Sequence, residues 1–297
     1  MALKITAANE PIRIELITIG LYALPGIGKT SLAFTASRPL LLDFDLGAHR
    51  ARNRKDSVHV SQWSDIAEMT KEDLADYDTI IVDTAGRALD VLSVDIIAKN
   101  PKHGNGGSLS LQGFGALKAR FGGWLKLMRT YGKDVVLLAH MDEKTEGEIV
   151  KERLDVQGGS KAEIYKCVDA MAKLYVEGKS RKLDFSPREG SLGKNPAQFE
   201  VLTVPDFIKE PQYLGTIIQG IKDSINKLSE EQVKKQAAVE SWREKVAAIT
   251  SADGFNALIP SVKNESPEIR KMLNDAAESY GLTYDKKASA FVEMVAA

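Results

Sequence analysis

The sequence contains one cysteine, Cys167, and four histidines in 297 residues. A single cysteine excludes an internal disulfide and a thiolate metal cluster, and four scattered histidines do not form a zinc site. The charges nearly balance, since the chain has 40 basic and 41 acidic residues. Bulk charge therefore argues neither for nor against a nucleic-acid partner, and the distribution of charge must decide.

Long hydrophobic runs are also missing. No stretch of about 18 apolar residues exists, and the first 15 residues, MALKITAANEPIRIE, lack the apolar centre of a signal peptide. We therefore expect a soluble, cytoplasmic protein without a membrane partner. The hydrophobic residues, 43% of the chain, suffice for a buried core, and the length predicts a core domain with a smaller appendage.

The most informative stretch runs from Leu16 to Phe34, LITIGLYALPGIGKTSLAF. It predicts a buried strand, a tight glycine turn and then a helix, which is the context of a P-loop. Backbone N–H groups beside the glycines can wrap a phosphate there. The residues expected to bind nucleotide are Pro25, Gly26, Ile27, Gly28, Lys29, Thr30 and Ser31.

Two side chains of this motif have specific expected roles. Lys29 would reach the β- and γ-phosphates, and the Thr30 hydroxyl would ligate Mg²⁺. Ala23 stands where the pattern usually has its first glycine. The alternative interpretation is an ordinary glycine turn between a strand and a helix.

A β-branched run, Thr79 to Thr84, predicts a second buried strand that ends in an acid. We expect Asp83 to point its carboxylate at the water shell of the metal, although an acid there could instead cap the next helix. Two further apolar runs end in Asp45 and His140. Ligands lie beyond the carboxyl ends of parallel strands. The side chains expected to converge there are those of Thr30, Asp45, Asp83 and His140.

Strands alternate with helices from Leu16 to about Ala139, which predicts an α/β fold with a mostly parallel sheet. Beyond Gln212 the pattern is helical and shows no strand signal. The domains predicted on this basis are an N-terminal arm over 1–14, a core over 15–210, a linker helix over 211–228 and a small helical domain over 229–297. The last predicted helix runs from Tyr284 to Val295.

Basic residues are concentrated between Ile97 and Lys133, where there are seven and no acid (Lys99, Lys102, Lys118, Arg120, Lys126, Arg129 and Lys133). The part over 99–113 is rich in glycine and is predicted to be a flexible loop. The aromatics Phe121 and Trp124 have helical spacing and are predicted to be core. A second mobile loop is predicted over 143–161. The candidate DNA contacts are Lys99, Lys102 and His103 in the first loop and Lys144, Lys151, Arg153 and Lys161 in the second. The alternative is a solvated basic surface.

Together, the P-loop and the stretches LLDFD, IIVDT, QGFGALK, VVLLAHMDEK and DVQGGSKAEIYKCVDAMAKLYVE resemble a RecA-like ATPase core. More narrowly, they are similar to phage single-strand annealing ATPases of the Sak type. The resemblance covers about 15–210. It implies a slow ATPase that needs Mg²⁺, is stimulated by single-stranded DNA and pairs complementary strands in recombination. It also implies self-association into a filament or ring, and it is compatible with a single-strand-binding protein as a partner.

The same resemblance implies roles for individual residues. Asp45 matches the acid that polarises the attacking water, with aspartate where glutamate is usual, and His140 matches the polar sensor of the next strand. A predicted hairpin around Gly178 carries Lys179, Arg181 and Lys182, which match a finger that acts on the neighbouring subunit's site; three solvated charges are the alternative. Ile5 to Ala8 is a weak match to the polymerisation element.

Two other functions are compatible with parts of the sequence. Asp83 to Arg87 (DTAGR) and Thr70 to Asp73 (TKED) resemble motifs of signal-recognition-particle GTPases. The order along the chain opposes that interpretation, because the base-reading TKxD motif follows the DTAG strand in those GTPases. The second alternative is a DNA-annealing scaffold in which bound ATP orders the loops with little turnover.

Overall fold

The computed structural model describes residues 3, 5–146, 149–156 and 160–294. By contacts between residues, the chain divides into two units. The larger unit is Ile14–Ile225, and the smaller contains the chain up to Arg13 together with the chain from Asn226 onward.

In the described part of the larger unit, nine strands form one sheet. They are β1 (Thr18–Ala23), β2 (Pro39–Asp43), β3 (Ser57–His59), β4 (Thr79–Asp83), β7 (Asp134–Glu146), β8 (Ile149–Leu154), β9 (Ala170–Glu177), β10 (Ser180–Asp184) and β11 (Leu202–Val204). A separate two-stranded hairpin pairs β5 (Gly104–Asn105) with β6 (Ser108–Leu109). The order across the main sheet is β11-β10-β9-β1-β7-β4-β2-β3, and β8 pairs with the outer part of β7.

The centre of the sheet is parallel, from β9 through β1, β7, β4 and β2 to β3. Strand β7 lies between β1, which leads into the P-loop, and β4, which ends in Asp83. The part of β7 beside the ends of these two strands therefore lies between the two motifs. Among the described strands of this sheet, the antiparallel pairs are β9–β10, β10–β11 and β7–β8. The predicted α/β fold with a mostly parallel sheet is confirmed.

Helices cover both faces of the sheet. Those of the larger unit are α1 (Lys29–Ala33), α2 (Ser64–Ala67), α3 (Ala85–Lys99), α4 (Leu111–Thr130), α5 (Ser160–Cys167) and the first part of α6 (Tyr213–Ala247). Side chains of α2, α3, α4 and α5 pack on one face, including Phe121 and Trp124 as predicted. Those of α1 and α6 pack on the other. The central strands are buried on both faces, which explains their nearly continuous apolar runs.

The prediction of a flexible loop over 99–113 is wrong. A 3₁₀ turn at Pro101–His103 leads into the β5–β6 hairpin, and α4 begins at Leu111 with the Ser110 hydroxyl accepting from the Gly113 N–H at 3.2 Å. Gly106 and Gly107 have φ of 58° and 85°. The glycines therefore form a tight hairpin turn that needs positive φ, where the sequence suggested an irregular segment.

The second predicted loop, 143–161, is also regular where it is described. Strand β7 continues past His140 to Glu146 and turns back as β8, and α5 begins at Ser160. Residues 147–148 and 157–159 and the side chain of Lys161 lie outside the described part of the chain. Apolar content did not reveal this hairpin because, among its residues whose burial is described, only Met141 and Leu154 at its base are buried.

The smaller unit contains the rest of α6, α7 (Ala252–Val262), α8 (Pro267–Ser279), β12 (Leu282–Asp285) and β13 (Ala290–Glu293). Its core includes Trp242, Phe255 and Phe291. The expected domain boundary at 229 falls inside the single helix α6. The prediction of a helix from Tyr284 to Val295 is wrong, because β12 and β13 form a hairpin. Tyr284 and Phe291 are cross-strand partners with ring centroids 5.4 Å apart, an aromatic pair that stabilises strands.

Ile5 to Ala8, the weak match to a polymerisation element, are solvent-exposed. None of the helices in the described ranges has the length and apolarity needed to cross a membrane.

Candidate functional site

The P-loop connects β1 to α1 through Leu24–Gly28. Gly26 has φ of 79° and Gly28 has φ of 104°, a conformation that side chains with a Cβ rarely adopt. Successive N–H groups in such a turn form a concave anion-binding surface. The sequence therefore builds a phosphate cradle directly at the carboxyl end of β1.

Lys29 extends from the first turn of α1 back towards the strand end. Its residue is 5% exposed, and its Nζ donates to the Ala23 and Leu24 carbonyls, both at 3.2 Å. Burial lowers the pKa of the ammonium, while Asp83 and Asp45 act in the opposite direction. An anionic ligand in the same cavity would therefore stabilise the charged form of Lys29.

The Thr30 hydroxyl donates to Asp83 Oδ2 at 2.6 Å. Asp83 is buried at the end of β4, and burial, together with the nearby Asp45 and Asp43 carboxylates, raises its pKa. A bound cation would relieve this excess of negative charge. No group of three or more His, Cys, Asp or Glu able to hold a metal occurs among the described residues. The donor set fits Mg²⁺, which binds one or two carboxylates and completes its shell with phosphate oxygens and water.

His140, near the middle of β7, links Lys29 to Asp45. Its Nδ1 lies 3.2 Å from Lys29 Nζ and its Nε2 lies 3.1 Å from Asp45 Oδ2. Because an ammonium only donates, we assign Nδ1 as the acceptor and place the ring proton on Nε2, which donates to Asp45. This hydrogen bond is the main cause of the lowered pKa of Asp45, and Arg87 Nε, 3.4 Å from Asp45 Oδ1, contributes.

Asp43, two residues earlier, has a different role. Its two carboxylate oxygens accept from the Gly47 and Ala48 N–H groups, each at 2.9 Å. The buried carboxylate thereby fixes the turn after β2. It is fully engaged in the backbone and is unsuited to activating water.

Apart from Ile27, the predicted nucleotide-binding and catalytic residues line one cavity of about 280 Å³. Sequence reasoning missed three of its other residues, Gly47, Arg50 and Ala51, which follow β2. A Cβ at Gly47 would lie 2.7 Å from a terminal nitrogen of Arg50, so glycine is what lets this guanidinium fold back beside the cavity. Sequence reasoning also missed the role of Arg87. Nothing in the local sequence pattern marks these residues, because they reach the site through the turn after β2 and the start of α3.

The basic stretch 97–133 is largely neutralised by the fold. Lys99 and Arg120 both pair with Asp95, Lys118 pairs with Glu163, and Arg129 pairs with Asp169. Lys133 is buried and donates to the Leu74 and Tyr77 carbonyls at 2.7 and 2.6 Å. The absence of acids in this stretch is thus offset by acids from α3, α5 and the start of β9. Lys102 and Lys126 remain exposed.

The other candidate DNA contacts lie in the hairpins. His103 is half-buried and its ring contacts Asn100 at 3.3 Å. Lys144, on β7, is the direct partner of Lys151 on β8, and Arg153 lies opposite Asp142. These three cations therefore lie together on one two-stranded hairpin.

The predicted finger residues lie on the β9–β10 hairpin. Lys182 Nζ donates to Thr203 Oγ1 at 2.9 Å on β11, whereas Lys179 is exposed. Arg181 Nε donates to the Ile27 carbonyl, at 2.7 Å, in the P-loop of its own chain. The structure therefore places Arg181 beside the nucleotide site of its own chain. Its role at a neighbouring subunit's site stays a prediction.

The GTPase motif does not reach the site. Thr70 and Asp73 bond to each other at 2.8 Å in the turn that precedes β4. Leu74, next in the chain, contacts Lys133, which precedes the start of β7. This turn is at the amino end of the strands, opposite the cavity, so TKED cannot contact a base bound at the P-loop.

A polar cluster connects β1 with the β7–β8 hairpin. Glu152 Oε2 accepts from the Tyr22 hydroxyl at 3.0 Å and from the Ser191 hydroxyl at 2.7 Å, and Glu152 Oε1 pairs with Lys173 of β9. Burial raises the pKa of Tyr22, which keeps its hydroxyl a donor. The strand that carries the P-loop is thereby tied to the hairpin that extends from His140.

Glu152→Ala is expected to lower the free energy of unfolding by about 2–3 kcal/mol, because it leaves the half-buried Lys173 ammonium without its carboxylate partner. Chemical denaturation with a fixed m-value measures the change. Glu177→Ala is the matched control, since its pair with Lys182 spans 3.8 Å and Glu177 is mostly exposed; it should cost less than about 1 kcal/mol. Equal losses in the two variants would contradict the cluster's role.

A phosphate cradle, a buried lysine, a Thr–Asp pair suited to Mg²⁺ and an acid–histidine pair on parallel strands together define a P-loop nucleoside-triphosphatase domain. A family described as "AAA domain" matches residues 16–197, and the chain belongs to this family. The comparison with curated protein sequences gave no match. One solved structure similar to this chain is the crystal structure of the RadB recombinase, at 13% identity and a TM-score of 0.35, covering 60% of this chain and 84% of that chain.

Proposed function

We propose that this protein is an ATP- and Mg²⁺-dependent recombination protein that binds single-stranded DNA and pairs complementary strands. The observation that carries the nucleotide part is the convergence of Lys29, the Thr30–Asp83 pair and the Asp45–His140 pair in one cavity. These side chains lie on or just after three parallel strands and at the start of the helix that follows the P-loop. They offer a phosphate contact, metal ligands and a carboxylate for water in a single place.

Each of these residues has a separate role in the proposed hydrolysis. The P-loop N–H groups and Lys29 hold the phosphates, and Asp45 orients water for attack on the γ-phosphate. His140 contacts both Lys29 and Asp45, so a phosphate that draws Lys29 forward also changes the contact of His140 with the carboxylate. Thr30 and Asp83 would hold Mg²⁺, which would supply positive charge to neutralise the phosphate oxygens.

The DNA part of the proposal is supported by the β7–β8 hairpin. Lys144 and Lys151 face each other on it, and β7 itself carries His140. Strand β7 passes the nucleotide site at His140 and continues to Lys144, so it can couple the two ligands. Single-strand binding of this kind neutralises backbone phosphates and depends steeply on salt.

The double variant Lys144→Ala/Lys151→Ala is expected to weaken binding to single-stranded DNA and to reduce the salt slope. Loss of two phosphate contacts should lower the slope by about 1.4, at ~0.7 per contact on single strands. Fluorescence anisotropy with a labelled oligonucleotide at several salt concentrations measures both quantities. ATP binding should be unchanged.

Lys99→Ala/Lys118→Ala is the matched control, because it removes the same charge from two lysines on α3 and α4, outside the hairpin. It should leave the salt slope near the parent value. If both double variants lose affinity equally, the effect is one of overall charge and the hairpin is not the DNA site. Parent-like binding by the hairpin variant would lead to the same conclusion.

One observation favours the second candidate, an ATP-switched annealing scaffold with little turnover. Both oxygens of Asp45 are engaged, by His140 and Arg87, and its pKa is lowered, which makes it a weak base. Phosphate release measured with and without single-stranded DNA separates the two functions. Stimulated turnover supports the enzyme, whereas nucleotide-dependent annealing with negligible release supports the scaffold.

A further inference from the structure

Arg181 lies at the start of β10, two strands away from the P-loop strand. Strand β10 pairs with β9, and β9 pairs in parallel with β1, with Tyr22 opposite Lys173. The turn between β9 and β10 therefore lies at the same edge of the sheet as the P-loop. Arg181 reaches the P-loop within its own chain by the register of three adjacent strands.

The contact is directed at the backbone of the cradle. Arg181 Nε donates to the Ile27 carbonyl at 2.7 Å, between the two glycines with positive φ. A Cβ on Gly28 would lie 3.3 Å from this Nε and 3.8 Å from the guanidinium carbon. Glycine at 28 thus serves two needs, the φ of 104° and room for the arginine.

We propose that Arg181 is a positioning residue that acts in cis, holding the Ile27 carbonyl so that the P-loop N–H groups face the phosphates of nucleotide bound to the same chain. In an anion-binding turn, the N–H groups converge on the ligand and the carbonyls point away from it. A donor fixed on the outer carbonyl stabilises that orientation before the ligand arrives. The positive charge of the guanidinium adds favourable potential at the same place.

The proposal rests on the proposed nucleotide-binding function and predicts a specific pattern of kinetic effects. A residue that pre-forms the cradle changes nucleotide affinity, whereas a finger that stabilises the transition state changes turnover. Arg181→Ala is expected to raise the nucleotide Kd and KM about three- to tenfold, the effect of one charge-assisted hydrogen bond at an exposed site, with kcat little changed. Arg181→Lys keeps a charged donor and should recover most of the affinity.

The test uses the full-length chain at a concentration where sedimentation shows monomer, with a fluorescent ATP analogue as the probe. Lys179→Ala is the matched control. It removes the same charge two residues away from an exposed side chain, for which no contact appears among the described residues. It should bind like the parent, because in a monomer Lys179 has no neighbouring subunit's site on which to act. Thermal unfolding of all variants without nucleotide should be unchanged, which separates cradle formation from a general loss of stability.

Three outcomes would overturn the inference. The first is parent-like affinity in Arg181→Ala. The second is an equal loss in Lys179→Ala. The third, measured at a concentration where the protein self-associates, is a loss of kcat alone that is rescued when Arg181→Ala protein is mixed with Lys29→Ala protein, since this would place the arginine in the neighbour's site. If the parent protein itself does not bind the ATP analogue, the proposed function fails first, and the two failures are distinguishable.

Discussion

Lys29→Ala is expected to reduce ATP affinity at least tenfold and to bring hydrolysis to background. The ammonium is buried at the base of the cavity, within 3.2 Å of His140 and of the carbonyls that end β1. A hydrogen bond to a charged group contributes about 1.5–3 kcal/mol, and about 1.4 kcal/mol corresponds to a factor of ten. The loss in turnover should exceed the loss in affinity, because charge on the transferring phosphoryl oxygens needs the same cation.

Isothermal titration with ATP and a phosphate-release assay measure the two effects separately. The fold should persist, since truncation removes a cation that burial already disfavours and opens its carbonyl partners to the cavity. Lys133→Ala is an informative control, because this buried lysine lies at the opposite end of β7 and bonds to the Leu74 and Tyr77 carbonyls. It should lower stability and spare nucleotide affinity. A folded Lys29→Ala protein with parent-like binding and turnover would contradict the P-loop assignment.

Asp45→Asn is expected to keep ATP bound and to lower kcat about 10²- to 10⁴-fold, the range of general acid–base contributions. The amide keeps the size of the carboxylate and loses its ability to orient and deprotonate water. It also loses the charge that attracts His140 Nε2 and Arg87. Single-turnover measurements at saturating ATP isolate this step from nucleotide binding.

Asp43→Asn is the matched control for this experiment. Its carboxylate caps the Gly47 and Ala48 N–H groups at 2.9 Å, so the variant should lose stability and retain most of its kcat at low temperature. An Asp45→Asn enzyme that hydrolyses ATP at the parent rate would place the base elsewhere. It would also favour the interpretation in which ATP acts only as a switch.

The P-loop was predictable in detail from the sequence. Its geometry is local: the φ angles of Gly26 and Gly28 and the approach of Lys29 to the strand end are set within a few residues. The parallel sheet was predictable for a related reason, since strands buried on both faces leave continuous apolar runs between amphipathic helices. The same argument predicted that Asp45, Asp83 and His140 would converge, because each follows or ends such a run.

The errors lay where the outcome depends on partners distant in the sequence. Residues 99–113 and the β7–β8 hairpin contain few apolar residues, and their regular structure comes from turns and cross-strand pairing. The hairpin β12–β13 was predicted as a helix although its aromatic residues pair across two strands. In each case local composition was compatible with more than one structure, and tertiary contacts selected between them.

The sequence alone determined the phosphate cradle, the metal-binding residue types and the α/β class, because these depend on residues adjacent in the chain or on burial of whole strands. The tertiary structure decided which charges remain available. It paired most of the basic stretch 97–133 with Asp95, Glu163 and Asp169, and it brought Arg181 to its own P-loop. The physical reason is that Coulomb interactions depend on distance in space, and strand register and helix packing set that distance for residues far apart in the chain.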